Sequence, residues 1–571
     1  MLQAPLSKAT SNKYILYFLI GWTVLNALQA ATLGLHADEA YYWVYSRFLD
    51  WGYYDHPPMV ALFIRIGDAI LGNELGLRLM TVVTSTLSVY LLWLIARKYE
   101  ADVRWFMLLL TGILAFHIYG FTTTPDAPLL FFTILFYYIY QQYLQKDSWL
   151  LALLLAVVVT LLLYSKYHCI LLIFFTLLAN PGMFKRLSFY VIPVIAVMLY
   201  LPHILWQADH NYPSASYHLF ERSAESYDFA RTYMYVPLQL LMAGPLISWF
   251  LFYYAFGKSV KDDFTRCLTF NGIGIFVFFW LNTIKGNVQP HWTLIGLVPL
   301  LLLTLIRLKQ RSFQPTWFYQ LALINAGLIV LFRLLLVAGI PAVKHWAPVK
   351  NYFYYDEWAR QIKQKVGNNY VIMPVGFQSA SKYNYYTRSL KGFAYDVFDY
   401  RRTQYDIWPI EDSMQNKKAF YMAPFPLIGY KTDSIKTVTD TWYGLWVNKV
   451  RSYQKIDIKT NNYKVTAQAG QVVSFKLEIN NPYNKKVDFN HNTIPDEVAL
   501  RACFYHDDDQ PQIQKAGSSF NQISILPHQK AYYTFTFTAP IKKGRYDLVF
   551  SIRTTPFPGG RNSRAINFTV Q

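Results

Sequence analysis

Apolar residues run in long blocks up to about residue 340 and then give way to mixed and alternating sequence. Residues 14–31 and 149–163 approach or reach the roughly 20 apolar residues needed to cross a bilayer. The pattern predicts a polytopic α-helical membrane protein with about eleven transmembrane helices, over 14–34, 78–97, 103–120, 127–144, 149–164, 167–180, 187–206, 233–256, 267–283, 292–307 and 317–340. The fifth and sixth are short and separated only by Ser165-Lys166, so a tilted hairpin is the alternative there. Loops 35–77 and 207–232 are long, and 61–71 has the mixed character of a helix lying on a membrane.

Beyond that region, a helical pattern over 355–366 and a strand over 369–375 suggest a small α/β module. Alternation over 472–479, 531–537 and 546–552, with turn residues between, suggests a β-sandwich. The expected domains are 1–344 in the membrane, 345–454 as the α/β module and 455–571 as the sandwich.

Composition supports this picture: 54% of the 571 residues are hydrophobic and 18% aromatic. The net charge of +19 is concentrated late, with 31 Lys and Arg against 18 Asp and Glu from Pro341 onward. No basic helix, zinc knuckle or Gly-rich RNA motif accompanies it, so no nucleic acid partner is expected. Membrane lipids and anionic glycolipids suit the charge better. Three cysteines make neither a disulfide framework nor a zinc site. No small-residue cleavage site follows the first apolar block, which reads as a retained span. With the N-terminus inside, the inner segments carry 14 basic residues against 5 acidic ones, and the outer loops before the tail 7 against 11. That asymmetry fits the positive-inside rule and places the C-terminal domains in the periplasm of a bacterial inner membrane.

On this topology the outer face gathers the candidate chemistry. Asp38 and Glu39 follow the first span, Asp55 and His56 precede Pro57-Pro58 in the same loop, and Asp126 opens the fourth span. For Asp38 and for Asp126 the plain alternative is a helix N-cap. Lys166 lies between two short spans, where snorkelling to the interface is its alternative. Arg222 lies in the second long loop, where Glu221 or Glu225 would pair with it, and Lys285 and His291 return just before the tenth span.

Asp38-Glu39-Ala40-Tyr41-Tyr42, Tyr53-Tyr54-Asp55-His56-Pro57-Pro58 and Thr124-Pro125-Asp126-Ala127-Pro128 together resemble the GT-C membrane glycosyltransferases. The nearer group contains the protein O-mannosyltransferases and the lipid A aminoarabinose transferases, and the resemblance spans roughly residues 10–340. It implies an inverting glycosyltransferase that moves a sugar from a polyprenyl-phosphate donor to lipid A, an envelope glycan or a protein on the periplasmic face. Asp38, with Glu39 and Asp126, takes the catalytic place; Lys166, Arg222, Lys285 and His291 are candidates to hold the donor phosphate. The aminoarabinose branch tends to have Glu-Lys-Pro-Pro where this chain has Asp55-His56-Pro57-Pro58. Asp55 and His56 therefore line the site or offer ligands to a divalent metal of open identity.

Two other readings compete: a transporter or flippase of lipid-linked saccharides, and a non-catalytic envelope assembly protein. Transporters place polar residues near the midplane at broken helices, often with repeat symmetry, whereas this chain keeps its acids in outer loops and shows no repeat. An assembly role suits a β-sandwich tail but leaves the loop cluster unexplained.

Overall fold

The computed structural model of the chain describes residues 7–218, 227–257, 262–310, 316–346, 349–374, 376–397, 402–490, 497–506 and 511–571. It divides into two compact units, Met1–Phe353 and Tyr354–Gln571.

The first unit is helical. It contains α1 (Lys8–Thr32), α2 (Ala37–Arg47), α3 (Met59–Ile70), α4 (Glu74–Ala96), α5 (Val103–Gly112), α6 (Leu114–Ile118), α7 (Asp126–Gln145) and α8 (Trp149–Ser165). These are followed by α9 (Cys169–Ala179), α10 (Val191–Asp209), α11 (Pro213–Ser216), α12 (Phe229–Ala243), α13 (Ser248–Phe256), α14 (Asp263–Asn282), α15 (Leu294–Lys309), α16 (Thr316–Val337) and α17 (Pro341–Lys344). Each expected span coincides with one helix or with a broken pair, α5–α6 or α12–α13. Among the described residues, six helices are long and apolar enough to cross a membrane, and α12–α13 makes a seventh if its two halves form one span. α5, α8 and α9 are shorter apolar helices. The unit ends at Phe353 rather than at residue 344, because Val343, Val349, Tyr352 and Phe353 pack with Ala30, Leu33, Val82, Phe121 and Leu336.

The breaks have identifiable causes. α12 and α13 meet at 94° around Gly244-Pro245. Gly244 has φ +126°, open to glycine, and proline offers no N–H to continue the ladder. Asn325 of α16 then serves both broken pairs: its Nδ2 donates to the Gly112 carbonyl at 2.8 Å, and its Oδ1 accepts from the Leu246 N–H at 3.0 Å. Backbone groups freed at membrane depth need such partners. Eight residues further along α16, the buried Arg333 guanidinium donates to Gln29 Oε1, to Asn26 Oδ1 at 2.8 Å and to His117 Nδ1 at 3.0 Å. The last span is thereby tied to the first.

The turn from α3 to α4 is equally tight: a Cβ on Gly76 would lie 1.4 Å from the Leu71 carbonyl oxygen.

The second unit begins with α18 (Tyr355–Val366), β1 (Tyr370–Met373), α19 (Phe377–Thr387), β2 (Gly392–Ala394), α20 (Ile410–Met414), β3 (Ala419–Ala423), β4 (Asp433–Lys436) and β5 (Thr441–Val447). Its mixed sheet has the order β2-β1-β3-β5-β4, with β1 parallel to both neighbours. A two-layer β arrangement follows, from β6 (Asp457–Lys459), β7 (Lys464–Ala467), β8 (Val472–Asn480), β9 (Val487–Asp488), β10 (Val498–Tyr505), β11 (Gln512–Lys515), β12 (Ser524–Ile525), β13 (Lys530–Thr538), β14 (Gly544–Thr554) and β15 (Ile566–Val570). One sheet runs β11-β10-β14-β15-β7 and the other β13-β8-β6. Phe475, Phe535, Phe504 and Phe550 fill the core between them. Buried Glu411 links the two halves of this unit by accepting from Ser452 Oγ, the Gln454 N–H at 2.9 Å and the Tyr483 hydroxyl at 2.9 Å. Cys169, Cys267 and Cys503 are free and buried.

Gly76→Ala is expected to destabilise the fold by about 1–3 kcal/mol, since the added methyl must displace backbone. Gly21→Ala, with nothing within 4 Å of the new Cβ, provides the control. Thermal melting of the two purified variants in detergent checks the contrast.

Candidate active site

The entry to α2 is fixed by its own side chains. His36 is the N-cap and its Nδ1 accepts from the Asp38 N–H at 3.3 Å, while Glu39 accepts the His36 N–H at 3.0 Å, closing a capping box. The cap is therefore His36, and Asp38 is left in the first turn with its side chain 40% exposed and 3.5 Å from His36 Nδ1.

Glu39 is wholly buried and its four acceptor positions are filled. Oε1 accepts from Arg78 Nε at 2.8 Å and from the Thr123 N–H at 2.9 Å; Oε2 accepts from Arg78 Nη2 at 2.6 Å and from the His36 N–H. Arg78 spends its other donors on the carbonyls of Ala30, Leu33 and Gly34, at 3.0, 2.5 and 2.9 Å. A carboxylate so occupied cannot accept a substrate proton. Glu39, expected among the catalytic residues, is instead the anchor that holds Asp38 and the Thr122–Asp126 turn in place.

The second carboxylate of interest begins α7. Asp126, 3% exposed, receives Lys166 Nζ on both oxygens at 2.8 and 2.9 Å, and His291 Nε2 stands 3.7 Å from Oδ2. Lys166 is 5% exposed, so it is paired inside the protein rather than snorkelling. Two of its three ammonium hydrogens go to Asp126, leaving the third for another acceptor. The Tyr119 ring centroid lies 5.8 Å from that of His291, and Tyr119 is within electrostatic reach of both Asp126 and Asp38. The Tyr352 ring lies 5.6 Å from that of His36, and Tyr352 is within electrostatic reach of Asp38. Burial, reinforced by the Glu39 charge, pushes the Tyr352 hydroxyl up and keeps it protonated.

Asp55 is buried, and its Oδ2 accepts from the hydroxyls of Tyr41 and Tyr45 at 2.9 and 3.1 Å. His56 packs its ring 5.7 Å from Tyr42 and lies within electrostatic reach of Asp126. Among the described residues no three His, Cys, Asp or Glu side chains form a group suited to a metal ion. With the Asp55 carboxylate directed at two tyrosines, the Asp55-His56 pair does not fit a metal centre. Lys285 is exposed in the turn after α14, and among the described residues nothing joins its ammonium to Asp126. Arg222 lies outside the described residues.

Of the residues the sequence pointed to, Asp126, Lys166 and His291 come together, and Asp38 shares with Asp126 an electrostatic neighbour in Tyr119, whereas Arg78, Tyr119, Tyr352, His168 and His218 had no expected place in the site. Arg78 carried a signal, a charge at the edge of an apolar span. Tyr119 and Tyr352 carried none, because the contacts that bring them together are long-range.

Glu39→Gln removes the charge that compensates Arg78 and should cost about 3–5 kcal/mol. Asp38→Asn, on a half-exposed side chain, should stay within about 0.5 kcal/mol. Thermal midpoints of the two variants, measured side by side, test the anchor and the exposed acid as separate parts.

The family model for dolichyl-phosphate-mannose-protein mannosyltransferase matches residues 55–206. No curated protein matches the sequence. Two crystal structures of ArnT from Cupriavidus metallidurans share its architecture. The apo form aligns with a TM-score of 0.57 at 13% identity, over 77% of this chain and 98% of that one. The form bound to undecaprenyl phosphate aligns with a TM-score of 0.56 at 14% identity, over 76% of this chain and 98% of that one. The chain is a multi-pass membrane protein with the GT-C fold of membrane glycosyltransferases.

Proposed function

We propose that this protein is an inverting glycosyltransferase that transfers a sugar from a polyprenyl-phosphate donor to an acceptor hydroxyl on the periplasmic face of the inner membrane. The observation that carries the reading is the division of labour around Tyr119. Tyr119 is within electrostatic reach of a half-exposed carboxylate, Asp38, and of Asp126, which holds a buried ammonium with a hydrogen to offer, Lys166.

In this reading Asp38 accepts the proton of the acceptor hydroxyl as its oxygen attacks the anomeric carbon. The bond from that carbon to the phosphate oxygen breaks, and polyprenyl phosphate leaves as the anion. A phosphate is already a competent leaving group, so the site needs positive charge more than a strong acid. Lys166 supplies it through its third hydrogen, and His291 adds a second donor beside Asp126. Asp126 holds and aims Lys166, a positioning role. Arg222 and Lys285 are further candidates to contact the phosphate in this scheme. The undecaprenyl phosphate bound by a protein of the same fold is a lipid of the class this scheme requires. Lipid A, an envelope glycan and a secreted protein all present suitable acceptors.

The test is transfer of label from radiolabelled polyprenyl-phosphate sugars to a membrane extract by the purified protein. Asp38→Asn is expected to lower the rate about a hundredfold or more with the fold retained. Full activity in that variant overturns the assignment of the base. Absence of wild-type transfer across a panel of sugars and acceptors overturns the reading as a whole.

A further inference from the structure

Beside the Asp126–Lys166 pair lies a group of four imidazoles, of which the transfer scheme uses only His291. They come from four separate elements: His56 before α3, His168 before α9, His218 after α11 and His291 before α15. The His56 and His218 rings are 6.3 Å apart. His218 donates through Nε2 to the Asp55 carbonyl at 2.9 Å and sets its ring 5.7 Å from Tyr167. His168 packs against Trp292, the neighbour of His291, at 5.0 Å, and against Phe279 at 5.2 Å. It is within electrostatic reach of Lys166 and of the other three histidines. Its Nδ1 is buried and has no hydrogen-bond partner among the described residues. Buried polar nitrogens are rarely left so.

Among the described residues, the charged side chains placed against this group, Lys166, Asp126 and Asp55, leave no positive excess. Asp126 neutralises Lys166, and Asp55 adds a negative charge solvated by two tyrosines. The tyrosines that face the imidazoles, Tyr42, Tyr119 and Tyr167, contribute no positive charge. An arriving phosphate carries at least one negative charge into this partly buried place and needs compensation there. Imidazoles are the side chains able to supply it near neutral pH by taking up protons.

Resting on the reading of this place as the donor phosphate site, we infer that His56, His168, His218 and His291 form with Lys166 a proton-loading phosphate site, so that a lipid phosphate binds together with protons. Binding strength then rises as pH falls through the imidazole range. The ligand works against this trend, because a phosphate monoester loses its second charge below about pH 6 and would bind a fixed cation site more weakly there.

Calorimetric titration of the full-length protein in detergent with undecaprenyl phosphate decides the matter, run in buffers of different ionisation heat. Expected are a net uptake of about one proton near pH 7 and a Kd about tenfold tighter at about pH 6 than at about pH 8. His168→Gln and His218→Gln should each reduce the uptake and flatten the pH profile. If either variant fails to fold, judged by gel filtration, the wild-type uptake alone decides. Binding with a constant Kd and no dependence on buffer overturns the inference and leaves the phosphate-site reading standing. No binding at any pH overturns both.

Discussion

Glu39 and Arg78 sit without solvent exposure, a placement that is affordable only when every lone pair and every N–H has a partner. Here they do. The carboxylate takes four hydrogen bonds and the guanidinium gives five, and the partners come from four stretches of chain. These are the end of α1, the start of α2, α4 and the turn before α7. Asp38 adjoins Glu39 in sequence, and Asp126 follows Thr123 by three residues. The pair therefore sets the distance between the two carboxylates on which the proposed chemistry rests, without touching a substrate.

The same rule distinguishes the second buried pair. Asp126 and Lys166 are nearly as deep as Glu39 and Arg78, yet the ammonium keeps one hydrogen unassigned and an imidazole stands 3.7 Å from the carboxylate. A closed set of hydrogen bonds holds a fold together, whereas an open one awaits a ligand. Counting filled donor and acceptor positions separates the two kinds of pair more sharply than depth does.

Much of the fold was legible because the hydrophobic period is a local signal. The spans over 14–34 and 78–97 reappear as α1 and α4, the stretch at 355–366 as α18, and the alternation at 472–479 as β8. The places where the reading blurred have tertiary causes. Residues 103–120 read as one span because nothing in the sequence announces that Asn325, more than two hundred residues later, will satisfy a break after Gly112. The resemblance singled out Asp38 with Glu39 beside it as a catalytic residue; only the three-dimensional partners of Glu39 show it to be an anchor. The unit boundary moved from 344 to 353 for a similar reason, since Phe353 belongs to a core whose other members come from α1, α4 and α16.

The last span also orders how this membrane unit can be built. Gly112 and Leu246 are synthesised well before Asn325, and Asn26, Gln29 and His117 well before Arg333. Until α16 arrives, both breaks and the polar residues of the first span lack the partners that satisfy them in the finished protein. Helices inserted one by one thus cannot each reach their final state in turn. Until then those groups need other partners, and the contacts of α16 complete the bundle last.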